Sequence, residues 1–173
     1  MKDKYKHLLN FTANIISLAV EAAMFGWVWY MLYIPMLDKA NTFFNRGNWA
    51  VIGMYVLFVF FFTKIFGGYR IGYMRISDII LSQILAVILA MIVAYFEICL
   101  VANDYLPPQP LLLMTVTEII FIVPWVVLVR KAYTRLYPPR QMLVIYGNYS
   151  PDDLIAKINT RKDKYNICAA ESY

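Results

Sequence analysis

The sequence predicts an all-α polytopic membrane bundle of four transmembrane helices, followed by the start of a cytoplasmic α/β domain. Hydrophobic residues make up 61% of the 173 residues, against about 45–50% in an average soluble domain. This excess falls into four apolar runs, each long enough to cross a bilayer, which takes roughly 17–25 residues. After the fourth run the composition becomes that of a soluble α/β protein, and there we expect a strand, a helix and a second strand.

Prolines and polar residues set the ends of the predicted spans. Pro35 closes the first span, because a proline cannot donate the backbone hydrogen bond that continues a helix. Ser77 is the predicted N-cap of the third. Pro124 predicts a kink or local unwinding in the fourth. The membrane domain is predicted over residues 1–137, with spans at 7–34, 49–66, 79–101 and 111–129.

The distribution of lysine and arginine predicts the orientation of these spans. The N-terminus, the loop at 64–75 and residues 130–140 share one side and hold ten basic residues, whereas the opposite side holds Lys39 and Arg46. Cytoplasmic loops carry the excess of lysine and arginine. Both termini are therefore predicted to lie in the cytoplasm. The net charge of +5 has its explanation in this flanking pattern, and no basic face for nucleic acid is predicted.

Residues 138–173 are predicted to form an incomplete cytoplasmic α/β domain. Pro138 and Pro139 stop the preceding helix. A strand over 142–146, a turn at 147–150, a helix over 151–159 and a strand over 165–170 make one βαβ unit. About 30 residues are too few for an independent core. We expect another chain to complete the unit, or the sequence to be a fragment of a longer protein.

Three acids inside apolar runs are the first candidates for function: Glu21, Glu97 and Glu118. Intramembrane acids are costly, so a functional role is the default hypothesis. Glu21 is near the middle of its span, Glu118 is ~10 Å deep at 1.5 Å per residue, and Glu97 is near the outer end. The favoured interpretation is packing, with each acid protonated or hydrogen-bonded to a Ser, Thr, Tyr or Trp on a facing helix. The alternative is a proton- or cation-coupled site.

The second set of candidates is basic and flanks the apolar runs. These side chains are suited to lipid phosphate, although positive-inside anchoring is the favoured explanation. They are Arg70, Arg75, Arg130, Lys131 and Arg135.

Other kinds of site have little support in the sequence. Gly147 stands alone after a predicted strand without the Gly-x-Gly-x-x-Gly spacing, so a plain turn is favoured over a phosphate site. His7 is the sole histidine, and no metal site or catalytic triad is predicted. Cys99 and Cys168 lie in an apolar run and in the tail, so no disulfide is expected.

Three stretches carry a resemblance to a known family. They are Phe66-Gly-Gly-Tyr-Arg-Ile-Gly-Tyr-Met-Arg, Tyr137-Pro-Pro-Arg-Gln-Met-Leu-Val-Ile-Tyr-Gly-Asn and Arg161-Lys-Asp-Lys-Tyr-Asn-Ile-Cys. With the four spans, they resemble the N-terminal half of the bacterial polyprenyl-phosphate sugar-1-phosphate transferases that initiate exopolysaccharide synthesis. The resemblance covers essentially the whole chain.

The resemblance implies a Rossmann-like middle domain after the bundle, location in the bacterial cytoplasmic membrane, and a separate catalytic domain further downstream. That domain uses a divalent metal such as Mg²⁺ to move a sugar phosphate from a nucleotide sugar to polyprenyl phosphate. Its motif is absent from these 173 residues, so no catalytic residue or cofactor is assigned to this chain. The expected function is the membrane anchor of such an enzyme.

The expected partners are membrane lipid, including polyprenyl phosphate, a catalytic domain or other polysaccharide-assembly proteins, and a second copy of the chain. The alternative function is a small proton-coupled four-helix transporter that uses Glu21, since small multidrug transporters also carry an acid in the first of four spans.

Overall fold

The computed structural model describes residues 2–37, 45–70, 74–136, 140–146, 152–159 and 165–172. The chain divides into two compact units, Met1–Arg130 and Lys131–Tyr173. Five helices and two strands are described: α1 (Lys2–Val28), α2 (Asn45–Phe66), α3 (Ile76–Ala102), α4 (Gln109–Leu136), β1 (Arg140–Tyr146), α5 (Asp152–Asn159) and β2 (Tyr165–Ser172).

Four segments of the described chain are long and apolar enough to cross a membrane: Leu8–Met36, Gly47–Phe66, Ile76–Ala102 and Gln109–Leu136. This confirms the prediction of a helical membrane bundle. Large apolar side chains such as Leu100 and Leu113 lie exposed on the helices, as a lipid solvent requires.

The first span differs from its prediction at its C-terminal end. The α-helix gives way to a π-helical segment, Trp29–Tyr33, and then to a 3₁₀ turn, Ile34–Met36, so the helical path continues past Pro35. Proline is tolerated there because it occupies the first turn of a new helix. The wider π turn accompanies complete burial of both Trp29 and Tyr33. The buried indole nitrogen of Trp29 has a hydrogen-bond partner, since Trp29 Nε1 donates to Asn48 Oδ1 (3.2 Å).

Two details of the third and fourth spans correct the sequence predictions. The residue before α3 is Arg75, without a side-chain cap, and Ser77 lies within the helix. Ser77 was therefore wrongly predicted as the N-cap. α4 is helical through Pro124 and continues to Leu136, beyond the predicted end at Val129. Hydropathy marks where a helix leaves the apolar layer, whereas backbone hydrogen bonding continues past that point.

The bundle has two clusters of buried apolar residues. The larger includes Phe25, Trp29, Tyr33 and Tyr55, together with Ala90 and Ala94 of α3. Phe25 and Tyr55 stack with ring centroids 4.2 Å apart. The smaller cluster contains Ala13, Ile79, Val87, Ile122, Val126 and Val129. Small side chains on α3 allow the bulky aromatic rings of α1 and α2 to enter the interior.

The second unit contains a strand–helix–strand arrangement. β1 and β2 pair in parallel, from Arg140 opposite Tyr165 to Tyr146 opposite Ser172, with a register shift between Met142 and Leu143. The described part of the sheet has two strands, β1 beside β2. The predicted turn at 147–150, the charged loop expected at 160–164, Pro138–Pro139 and the first residue of the predicted helix at 151 lie outside the described residues.

Candidate functional site

Glu118 is the most deeply buried acid of the described chain, with no solvent-exposed surface. It lies on the inner face of α4 together with Leu111, Met114 and Ile122. The hydroxyl oxygen of Tyr55 is 2.8 Å from Oε1 and 2.9 Å from Oε2 of Glu118. A contact between residues 63 positions apart therefore joins α2 to α4 in the bundle interior.

Tyr55 is held in place by its ring as well as by its hydroxyl. It is fully buried and stacks almost parallel to Phe25 of α1, with an interplanar angle of 7°. Stacked aromatic pairs contribute about 0.5–1.5 kcal/mol beyond their burial. The ring is thus fixed by α1 while its hydroxyl contacts α4, so Tyr55 links three helices.

Glu21 lies on α1 and is also buried, with 5% of its surface exposed. Ser17 Oγ, one helical turn earlier, donates a hydrogen bond to Glu21 Oε1 (3.0 Å). The Glu21 and Glu118 carboxyls lie within electrostatic range of each other, and Glu21 is also within that range of Tyr55. Two of the three acids predicted from the sequence therefore share one polar region.

The linker between α2 and α3, of which residues 67–70 and 74–75 are described, approaches this polar region from one end of the bundle. Gly67 adopts φ 77°, a conformation that favours glycine, and the Gly68 amide donates to the Thr63 carbonyl (2.9 Å). The next residue, Tyr69, is half-buried. Burial raises the pKa of Tyr69 to about 12, the charge of Glu21 contributes to the increase, and a hydrogen bond with Thr63 opposes it.

Gln83 of α3 closes the linker against the bundle. Its Nε2 donates to the Gly68 carbonyl (3.3 Å), and Ser82 Oγ donates to the Phe66 carbonyl (3.0 Å). A Cβ placed on Gly68 would lie 2.9 Å from Thr63 Cγ2 and 3.0 Å from Gln83 Cγ. The backbone at Gly68 thus fits between α2 and α3 only because it has no side chain.

Glu97 is separate from this polar region. It is half-buried near the end of α3, and its Oε2 accepts no hydrogen bond from the described residues. Two tyrosines supply hydrogen bonds to the loop that follows α3: Tyr33 donates to the Pro107 carbonyl (3.0 Å) and Tyr95 to the Leu106 carbonyl (3.2 Å). These bonds hold the proline-rich loop between α3 and α4.

The basic candidates fall into two kinds. Arg70, Arg75, Lys131 and Arg135 are exposed, as contact with lipid headgroups requires. Arg130, in contrast, is 96% buried at the end of the first unit, since only 4% of its surface is accessible. Its guanidinium group is part of the protein interior, so the exposed residues are the better candidates for lipid phosphate.

An apolar cleft of about 590 Å³ separates parts of α1 and α4. Its walls include Val20 and Trp27 of α1 and Leu113 and Thr117 of α4. Thr117 is the single polar side chain among its described lining residues, and its hydroxyl already donates to the Met114 carbonyl (2.7 Å). The cleft therefore suits a hydrocarbon chain and offers no group for chemistry.

We expected a Ser, Thr, Tyr or Trp on a facing helix as the partner of each buried acid. Tyr55 of α2 is such a partner for Glu118, whereas the partner of Glu21, Ser17, lies on the same helix. The signal for Ser17 was its position four residues before Glu21, which places both on one helix face. Nothing in the sequence pairs Tyr55 with Glu118, because the relation of two distant helices is set by tertiary packing.

The described residues contain no group of three or more His, Cys, Asp or Glu side chains that could hold a metal ion. The Mg²⁺ implied by the resemblance belongs to the separate catalytic domain and is assigned to no residue of this chain. Comparisons with models of protein families, with curated proteins and with solved structures found no match for this chain. The resemblance to sugar-1-phosphate transferases therefore stays a prediction based on its sequence motifs.

Proposed function

We propose that this chain is the membrane anchor of a cytoplasmic enzyme domain. The observation that carries the proposal is the order of its elements. Four apolar helices are followed by β1 of a parallel strand–helix–strand unit, with three residues between Leu136 and the first residue of β1. Parallel strands are normally covered by protein on both faces. A bundle that leads directly into such a unit is suited to holding a larger α/β domain at the membrane surface.

The motifs in the linker and at the bundle's end specify the enzyme further. They support the membrane half of a polyprenyl-phosphate sugar-1-phosphate transferase with a Rossmann-like middle domain and cytoplasmic termini. In this arrangement the anchor keeps the enzyme at the inner leaflet, where polyprenyl phosphate is located. Exposed Arg70, Arg75, Lys131 and Arg135 lie near the ends of the spans and are suited to anionic headgroups.

The second candidate is the proton-coupled transporter, which the burial of Glu21 favours. The discriminating variant is Glu21→Gln, with Glu97→Gln as the matched control at the end of α3. A transporter loses proton-coupled flux in Glu21→Gln vesicles and retains it in the control. An anchor shows no flux in any of the three proteins, and the two variants differ at most in stability.

The direct test is the intact mass of the native protein, captured from its own membranes with an antibody to residues 36–48. We expect a mass well above 20.2 kDa, because the proposed catalytic domain is part of the same chain. The captured protein should also transfer labelled sugar phosphate from a nucleotide sugar to polyprenyl phosphate. A native mass of 20.2 kDa without transfer by the captured complex would contradict the proposal.

A further inference from the structure

Among the residues that the structure describes, the groups shown to contact Glu118 or to act on it electrostatically include no cation. Among the described residues, its one hydrogen-bond partner is Tyr55, and the ionisable group that acts on it from another helix is Glu21, itself an acid. An unpaired charge inside a helical bundle that spans a membrane is energetically unfavourable. The position therefore favours a neutral carboxyl group.

The hydrogen-bond geometry accommodates a proton on the carboxyl group. The Tyr55 hydroxyl carries one hydrogen, yet its oxygen lies within 2.9 Å of both oxygens of Glu118. Beside an ionised carboxylate, that single hydrogen serves two acceptors. A protonated carboxyl supplies the second donor: Tyr55 donates to one oxygen of Glu118, and the other oxygen donates its proton to Tyr55.

In the described part of the chain, the groups that face this pair from the neighbouring elements are polar or acidic. α1 contributes Glu21 with Ser17, α2 contributes Tyr55, and the linker contributes Tyr69, which acts on Glu21. In the aromatic cluster that includes Tyr55, the buried residues of α3 are Ala90, Ala94 and Ile98. Two carboxylates within electrostatic range repel each other, so an ionised Glu21 further favours the proton on Glu118.

We propose that Glu118 and Tyr55 form a proton-binding site in the membrane interior, and that its proton stabilises the contact between α2 and α4. The carboxyl takes one proton from water when the bundle assembles and returns it to water on deprotonation. Release leaves a buried charge within electrostatic range of Glu21 and removes one of the two donors. The bundle is thus a pH-sensitive element, independent of any enzyme that it anchors.

Infrared spectroscopy of the full chain in lipid nanodiscs tests the protonation directly. At neutral pH we expect Glu118→Gln to remove a carbonyl stretching band of a protonated carboxylic acid. Tyr55→Phe should shift that band, because it removes a hydrogen bond to the same group. Glu97→Gln is the matched control and should leave this Tyr55-sensitive band unchanged. Loss of a carboxylate band in Glu118→Gln, without loss of an acid band, would overturn the proposal.

Thermal unfolding as a function of pH tests the role in stability. The native state holds a proton that the unfolded chain releases, so wild-type stability should fall as pH rises. Glu118→Gln mimics the neutral carboxyl and should unfold near the wild-type temperature at low pH, with a smaller decrease at high pH. Equal decreases in both proteins would refute the proposal. If Glu118→Gln does not fold, a wild-type acid band insensitive to Tyr55→Phe refutes it instead.

Discussion

The bundle and the strand–helix–strand unit both expose large apolar side chains, but for different physical reasons. On the bundle, Leu100 is 80% exposed and Leu113 is 68% exposed, while Glu118 is buried. Each helix satisfies its own backbone hydrogen bonds, so an apolar outer face needs only lipid. In β1, Leu143 and Ile145 flank the buried Val144 and are 53% and 65% exposed. A strand pair leaves backbone groups unpaired at its edges. Its apolar face is exposed to water unless other protein packs on it.

Hydrogen exchange measured by mass spectrometry in nanodiscs should show the largest difference between the two units. Amides in the middle of α3 are shielded from water by helical hydrogen bonds and by lipid, and should exchange only on opening of the bundle. Amides of β1 and β2 belong to a two-stranded sheet in the described chain, which is marginally stable at best, and should exchange orders of magnitude faster. Equal protection would show that the native protein covers the strand pair.

Substitution of Tyr55 tests whether the polar interior is a structural part of the bundle. Tyr55→Ala removes a fully buried ring that stacks on Phe25, and we expect a loss of about 3–5 kcal/mol. Tyr55→Phe keeps the ring and leaves Glu118 without its partner, which should cost about 1–3 kcal/mol. Chemical denaturation in detergent measures both. Equal effects for the two variants would mean that the hydroxyl, rather than the ring, accounts for the stabilisation.

A pair of glycine substitutions tests the close packing between α2 and α3. Gly68→Ala brings a Cβ to 2.9 Å from Thr63 and 3.0 Å from Gln83, and overpacking of this kind costs about 1–3 kcal/mol. Gly53→Ala is the matched control, because no atom lies within 4 Å of its new Cβ. It should stabilise α2 by about 0.5–1 kcal/mol, since alanine favours a helix more than glycine does. Thermal unfolding distinguishes the two, and a stable Gly68→Ala protein would contradict the geometry.

The contrast between the two units also explains what could be predicted from the sequence. Apolar length is a local property, so the four spans were predicted, as was the strand–helix–strand order. The side of each helix that is buried depends instead on which other helices pack against it. The position of Glu21 along α1 indicated its depth, but only the assembled bundle shows that Glu118 is the fully buried acid and that Tyr55 contacts it.

Element ends show the same distinction. The predicted boundary at Val129 followed hydropathy, whereas α4 extends to Leu136 because helical hydrogen bonds continue into polar sequence. Ser77 was predicted as the N-cap of α3, but the N-cap position is occupied by Arg75, because the helix begins one residue before Ser77. Local patterns thus define which elements form, and tertiary contacts define where they end and what their polar groups meet.

The smallest expected effects come from β1 and separate its two faces. Val144→Ala removes two buried methyl groups, a loss of about 1.6 kcal/mol at ~0.8 kcal/mol each, and should speed the exchange of β2 amides. Ile145→Ala, on the exposed face, should change that exchange by less than the equivalent of about 0.5 kcal/mol. Both variants should leave α3 protection unchanged. A large effect of Ile145→Ala in the native protein would show that this face is covered there, as the proposed larger α/β domain requires.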